Sequence, residues 1–284
     1  MAEVRDVELL KTADEQPSSA MPPSRGWGWI AVAALIVVIA VAAYFVFGRR
    51  APAPVAQTTK PVQVTQQAVR PLGGEGDPIV LPPLDETDAV VRELVAKLSA
   101  HPAVAAWLTT DGLVRNFTVV VANIVEGRTP AVHLRALRPA TKFAVVERNG
   151  ETYIDPRSYA RYDRVASAAA SIDAAGAARL YSTLKPRIED AYRELGAPDT
   201  TFDRALERAI VLLLKTPVVD DPIRLENQGA NGFAYASPEL EALAPPQKLL
   251  LRAGPANVRA IQSSLRAIAI ALGIPAERLP TPHP

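Results

Sequence analysis

The sequence predicts a mainly α-helical, α+β protein with one N-terminal transmembrane helix, followed by a helical domain carrying one or two small β-hairpins. Three observations predict it. Trp27–Phe47 is an uncharged, almost wholly apolar run of bilayer length. From Asp85 onward, apolar residues recur at helical spacing. Two pairs of short β-prone segments flank turn residues, one pair across Asn149-Gly150 and the other across 227–232.

The apolar run comes first. At about 1.5 Å per residue it covers roughly 30 Å, the hydrocarbon thickness of a bilayer. Lipid offers no partner for open backbone groups, so the run must be helical. Trp27 and Trp29 lie at one end, Tyr44 at the other, and Arg49-Arg50 close it, an interfacial ring set followed by a charged stop. A cleaved signal peptide competes, because Ala51-Pro52-Ala53 loosely resembles a small-residue cleavage site. The run exceeds the about 7–15 residues of a signal core, and Pro54 would follow the cut. We therefore read an uncleaved single-pass anchor, expected in an inner membrane and touching the lipid bilayer through Trp27–Phe47. Lys11 and Arg25 before the span, against Arg49, Arg50 and Lys60 after it, slightly favour a cytoplasmic C-terminal part. The layout of short tail, span, spacer and large domain favours the opposite, a periplasmic or extracytoplasmic domain. The second orientation is the expectation, and a cytoplasm-facing interaction domain is the alternative.

Residues 1–26 form a short mobile tail, turn-rich over Pro17–Ser24, with Val4, Val7 and Leu10 on one short helical face. Residues 48–84 form a linker rich in proline, from Pro52 and Pro54 to Pro82 and Pro83. Such composition favours extended, semi-rigid chain with a reach of up to roughly 100 Å. Gly73-Gly74-Glu75-Gly76 has no strand before it and no helix after it, so it reads as a flexible stretch and not a phosphate cradle.

Residues 85–280 form the helical domain, of a size suited to one core. Asp85–Ala100 places Val90, Val91, Leu94, Val95 and Leu98 on one helical face. Asp111–Glu126 repeats Leu113, Phe117, Val120, Val121 and Ile124 and stops at Gly127. Phe143–Asp155 is a hairpin about Asn149-Gly150, and Pro222–Tyr235 is a looser one. Asp173–Leu195 buries Leu180, Leu184 and Ile188, with a kink expected at Pro186. Thr201–Lys215 buries Phe202, Leu206, Ile210 and Leu213. Pro255–Leu272, with Pro at its start and Gly273 past its end, buries Val258, Ile261, Leu265 and Ile268.

Several blocks are similar to one bacterial family. They are Leu81–Asp88, Asp111–Asn123, Tyr153–Asp163, Leu184–Tyr192 and Gln247–Asn257. The family is catalogued as domain of unknown function 3014, and the resemblance covers residues 80–280. It implies a membrane-anchored bacterial protein with no established activity, and it supplies no catalytic residues.

Composition narrows the chemistry further. With 31 Lys+Arg against 30 Asp+Glu, the chain lacks the overall basic field of a nucleic-acid binder, so no nucleic acid is expected. Without cysteine there is no disulfide, thiolate metal site or cysteine nucleophile. There is no Gly-x-Ser-x-Gly, His-Glu-x-x-His or Gly-x-x-x-x-Gly-Lys. His101, His133 and His283 are far apart, and no metal or cofactor is expected. Asp220–Asp221 and Glu189–Asp190 read as solvated charges. Asn116 and Asn123, seven apart on an apolar helix, each need a hydrogen-bond partner and are read as packing residues. Arg259, Gln262 and Arg266 read as a wet face.

The densest polar cluster is Tyr153, Asp155, Arg157, Tyr159, Arg161 and Arg164. A helix after Pro156 would put Arg157, Arg161 and Arg164 on one face. Arginine forks suit carboxylate or phosphate, and tyrosine stacks on sugars, so the cluster is a candidate anion or glycan surface. The competing reading pairs the arginines with Asp163 and neighbouring acids and lays the tyrosines over the hairpin. It carries more weight, since such ion pairs are common. The expected function is a non-enzymatic binding or assembly role at the bacterial cell envelope, through envelope proteins or cell-wall polymer. The rival is an enzyme of unfamiliar type, using carboxylates with the Arg/Tyr cluster. A deep pocket gathering Asp155, Tyr159 and Arg161 around an acid of raised pKa would mark it. No feature specifies the ligand, the partner or the oligomeric state.

Overall fold

The computed structural model describes residues 71–196 and 200–282. The expected tail, the expected transmembrane helix and the first part of the Pro-rich stretch lie outside the described residues. Among the described residues, no helix is long and apolar enough to cross a membrane. They form α1 (Asp88–Ala96), α2 (Pro102–Trp107), α3 (Leu113–Val125), β1 (Val145–Arg148), β2 (Glu151–Ile154), α4 (Asp163–Ala170) and α5 (Ala174–Glu194). Then follow α6 (Phe202–Leu214), β3 (Arg224–Asn227), β4 (Phe233–Tyr235), α7 (Pro238–Glu241), α8 (Pro245–Leu251) and α9 (Pro255–Ala271). The fold is α+β and mostly helical.

Helices α3, α5, α6 and α9 pack on one another around Phe202, which is fully buried. Its ring meets those of Phe117 at 5.6 Å, Tyr192 at 5.3 Å and Tyr181 at 6.3 Å between centroids, within the range where aromatic pairs add to simple burial. Both ends of α6 are covered, so its orphan backbone groups need protein partners. At the N-terminus the Phe202 N–H donates to Glu189 Oε1 at 3.2 Å. Glu189 is therefore a capping group, not the solvated charge its sequence context suggests. At the C-terminus Gln247 Nε2 donates to the Leu212 carbonyl at 3.2 Å. Gln262 Nε2 lies 2.8 Å from the Thr216 carbonyl and 3.2 and 3.3 Å from those of Leu213 and Leu214. Gln262 is thus buried; only its neighbours behave as surface residues. Arg259 grips Asp220 with two bonds of 2.9 and 2.6 Å, and Arg266 reaches the Pro280 carbonyl.

Residues 85–100 do not form one helix. A 3-10 turn at Leu84–Glu86 precedes α1, which stops at Ala96. Pro102 biases the residue before it away from helical backbone, and His101 is extended (ψ 134°), with its ring Nδ1 accepting the Ala103 N–H to cap α2. Asp88 accepts the N–H groups of both Gly112 and Leu113 at 2.8 Å, supplying the cap that glycine cannot. Helix α5 runs on past Pro186 to Glu194.

The two hairpins combine into a single antiparallel sheet of order β1-β2-β3-β4. Asn149 and Gly150 both take positive φ (52° and 78°), as a type I′ turn requires. Pairs of three- or four-residue strands are marginal alone. Joining through Thr152↔Leu225 and Tyr153↔Arg224 lets Ile154, Leu225 and Tyr235 bury together against Leu251.

The part of the Pro-rich stretch from Pro71 onward belongs to this domain, although its composition reads as spacer. Leu72 is in the core, the Gly73 N–H donates to the Leu272 carbonyl at 2.9 Å, and the Asp77 N–H donates to Thr183 Oγ1 at 2.9 Å. A Cβ on Gly76 would lie 2.5 Å from the Thr183 nitrogen. The glycine run thus serves close approach to α5, not flexibility.

Gln262→Leu keeps the side-chain bulk but strands buried carbonyls. A loss of about 2–3 kcal/mol in urea unfolding followed by circular dichroism is expected, and an unchanged midpoint would refute the capping role.

Candidate functional site

The helix expected after Pro156 is broken. Two 3-10 turns, Pro156–Ser158 and Ala160–Tyr162, precede α4. The Tyr159 carbonyl accepts the Tyr162 N–H and Asn257 Nδ2, which resets the helical ladder before Asp163. The cluster singled out in the sequence is accordingly dispersed. Arg157 forks onto Asp155, Nη2 at 2.5 Å and Nε at 2.9 Å from Oδ2, and Asp155 Oδ1 accepts the Arg157 N–H. The Arg157 guanidinium and backbone N–H hold the Asp155 carboxyl below its ordinary value. Tyr153 donates to Glu151 at 2.6 Å, a bond that raises its phenol pKa. Tyr159 lies flat against Gly254, so close that no Cβ fits there, and burial raises its pKa. Arg164 is exposed on α4.

Arg161 goes elsewhere. Its Nε donates to the Ser158 carbonyl at 2.9 Å and its Nη1 to the Thr141 carbonyl at 3.1 Å. Its guanidinium stacks 5.5 Å from the Phe143 ring and 5.3 Å from that of Tyr162. These contacts place Arg161 and Tyr162 on the wall of a trough of about 1140 Å³.

The base of the trough is apolar. Ile154, Leu225 and Tyr235 come from the sheet, Leu250 and Ala253 from the end of α8, and Leu213 from α6. Its other wall is the segment from Pro130 to Phe143, whose Ala131–Leu137 forms 3-10 turns kinked at Leu134. Asn116 Nδ2 donates to the His133 carbonyl at 3.1 Å, so this asparagine ties the wall to α3. The Phe143 ring meets that of Phe233 at 6.2 Å.

Cations line the mouth: Arg135, Arg138 and Lys142 from the wall, with Arg161 and Arg252. No carboxylate is among the lining residues. Val132 and Phe143, both lining residues, are 59% and 37% exposed. Near the base, the Tyr235 hydroxyl lies 3.4 Å from the Lys248 carbonyl. Burial raises its pKa, and Arg252 acts in the opposite direction. A neutral hydroxyl, an apolar base and a cationic mouth without acids can hold an amphipathic anion. Sequence reading missed this wall, and the signal was present: residues 127–146 contain four Lys/Arg and no Asp or Glu. Among the described residues, no group of three or more His, Cys, Asp or Glu is placed to hold a metal ion.

The described residues thus define a helical α+β domain that carries an amphipathic trough. The chain belongs to the family described as protein of unknown function (DUF3014), which matches residues 113–269. That span is narrower than residues 80–280 but includes every residue lining the trough. No curated protein and no solved structure matches the chain.

The Asp155–Arg157 pair sets a pH test. A carboxyl lowered in the folded chain contributes stability that is present above its ordinary value of 3.8 and lost as pH falls through the lower folded value. Arg157→Gln should remove that part of the acid loss, so the urea midpoints of the two proteins, separate at pH 5, should converge toward pH 2.5. Parallel curves would rule out the pairing.

Proposed function

We propose that this is a single-pass membrane-anchored protein that presents a helical domain in a non-enzymatic binding or assembly role at the bacterial cell envelope. The observation that carries the binding part is the trough, with its apolar base, its cationic mouth and no carboxylate lining it. The anchoring part rests on Trp27–Phe47. The tether part rests on the proline-rich composition that follows the span.

The enzymatic alternative calls for an acid poised by a raised pKa. Asp155 is instead lowered by Arg157 and does not line the trough, and Tyr159 packs on Gly254. These facts support binding over catalysis with that cluster.

Membranes from cells expressing the full chain, washed with alkaline carbonate, should retain it. A reporter active only outside the cytoplasm, fused after Pro284, should be active. Release by carbonate would overturn the anchor, and a reporter active only in cytoplasmic form would reverse the orientation.

A further inference from the structure

We propose that the trough binds one anionic lipid molecule, its acyl chain along the apolar base and its acidic headgroup against the cations of the mouth. The proposal rests on the binding reading above and names the ligand class for the same site.

Charge complementarity selects the sign. Arg135, Arg138 and Lys142 lie within eight residues on one wall, and none is paired with a carboxylate among the described residues. Elsewhere the surface is mixed: Arg115, Arg157, Arg224 and Arg278 each hold a carboxylate, and what sets this wall apart is that residues 127–146 contain no Asp or Glu at all. Clustered, unneutralised Arg and Lys suit an oxyanion with several acceptor oxygens.

The interior selects the rest of the ligand. Besides the apolar base, Leu134, Leu137, Phe233 and Leu249 line the trough, and their side chains offer nothing to a polar group. The Tyr235 hydroxyl near Arg252 is the polar handle at its base. A ligand polar at one end and featureless along its length matches this division. A soluble anion such as inorganic phosphate would leave the apolar base wet, and the exposed Val132 and Phe143 uncovered. The volume of about 1140 Å³ exceeds the about 300–1,000 Å³ of small-molecule sites, leaving room for a long chain. The chain's own acidic residues 1–26 are not the occupant in this reading, because the span separates them from the domain.

The test uses the full chain in phosphatidylcholine nanodiscs and a hexadecyl phosphate bearing a mid-chain diazirine. Irradiation should label peptides within residues 130–143 and 233–253. Unlabelled hexadecyl phosphate should compete, while hexadecyltrimethylammonium and inorganic phosphate should not. Arg138→Gln with Lys142→Gln, both exposed positions, should cut trough labelling about tenfold, and Arg204→Gln on α6 should leave it unchanged. Labelling confined to Trp27–Phe47, or equal competition by the cationic amphiphile, would overturn the proposal. A photoreactive residue at Val132 in native membranes adds a separate readout. Capture of a protein in place of lipid overturns the lipid proposal while leaving a binding role intact. Release of the chain by carbonate with trough labelling retained would instead overturn only the anchor.

Discussion

The whole domain depends on one constraint: α6 begins and ends on buried residues, Phe202 and Leu214, and buried helix ends cannot leave their N–H and C=O groups to water. Glu189 meets the Phe202 N–H at one end, and Gln247 and Gln262 meet four carbonyls at the other. An unpaired buried carbonyl costs about 1–3 kcal/mol, comparable to burying a large side chain. The glutamines therefore do as much to fix α8 and α9 against α6 as the leucines beside them. Asp203, in the first turn of α6, extends the same logic outward by accepting from Tyr181 at 2.5 Å, Lys185 at 2.5 Å and the Leu72 N–H at 3.2 Å. Through that last bond, the stretch entering the domain is tied to its central helix.

This capping also shapes the site. Leu213 of α6, Leu250 and Ala253 at the end of α8, and Ile261 of α9 all line the trough, so the three helices that Gln247 and Gln262 tie together each contribute to it. The sheet closes the other side because β2 and β3 pair and bring Ile154, Leu225 and Tyr235 onto one face. The cationic wall is an addition laid over this base, held by Asn116 to α3 and by Arg161 to the Thr141 carbonyl.

What was legible in the sequence follows from which forces act locally. The body of α3 and its C-terminal end could be read because apolar residues recur every three or four positions and Gly127 is a residue suited to the positive φ it takes; its start, expected at Asp111, lies at Leu113, where Asp88 supplies the cap. The first hairpin could be read from Asn149-Gly150 alone. Interactions between distant residues were not legible. Gln262 sits between two arginines and looks solvated, and only the position of Leu213–Thr216 some 46–49 residues away makes it buried. Gly73 and Gly76 look like spacer until Ser182 and Thr183 of α5 lie against them. The Arg/Tyr cluster was an artefact of assuming one helix. Once Asn257 takes the Tyr159 carbonyl, Arg157 and Arg161 serve different neighbours, and only Arg161 and Tyr162 reach the trough.

Net charge conceals the feature that distinguishes this domain. A chain at +1 overall creates little long-range field, and at physiological ionic strength exposed charges act over only about 8 Å. The cations at the trough cannot gather ligands from a distance. On the proposed reading they would act on a group already seated over the apolar base, where partial desolvation would strengthen each contact. Such an arrangement discriminates by the sign of a headgroup more than it accelerates encounter. On the proposed reading, a domain tethered close to its ligand's source would have little need of steering, and near neutrality would spare it non-specific attachment to other polyanions. The local separation of acids from the 127–146 wall, within a balanced whole, is therefore the chemically informative part of the composition.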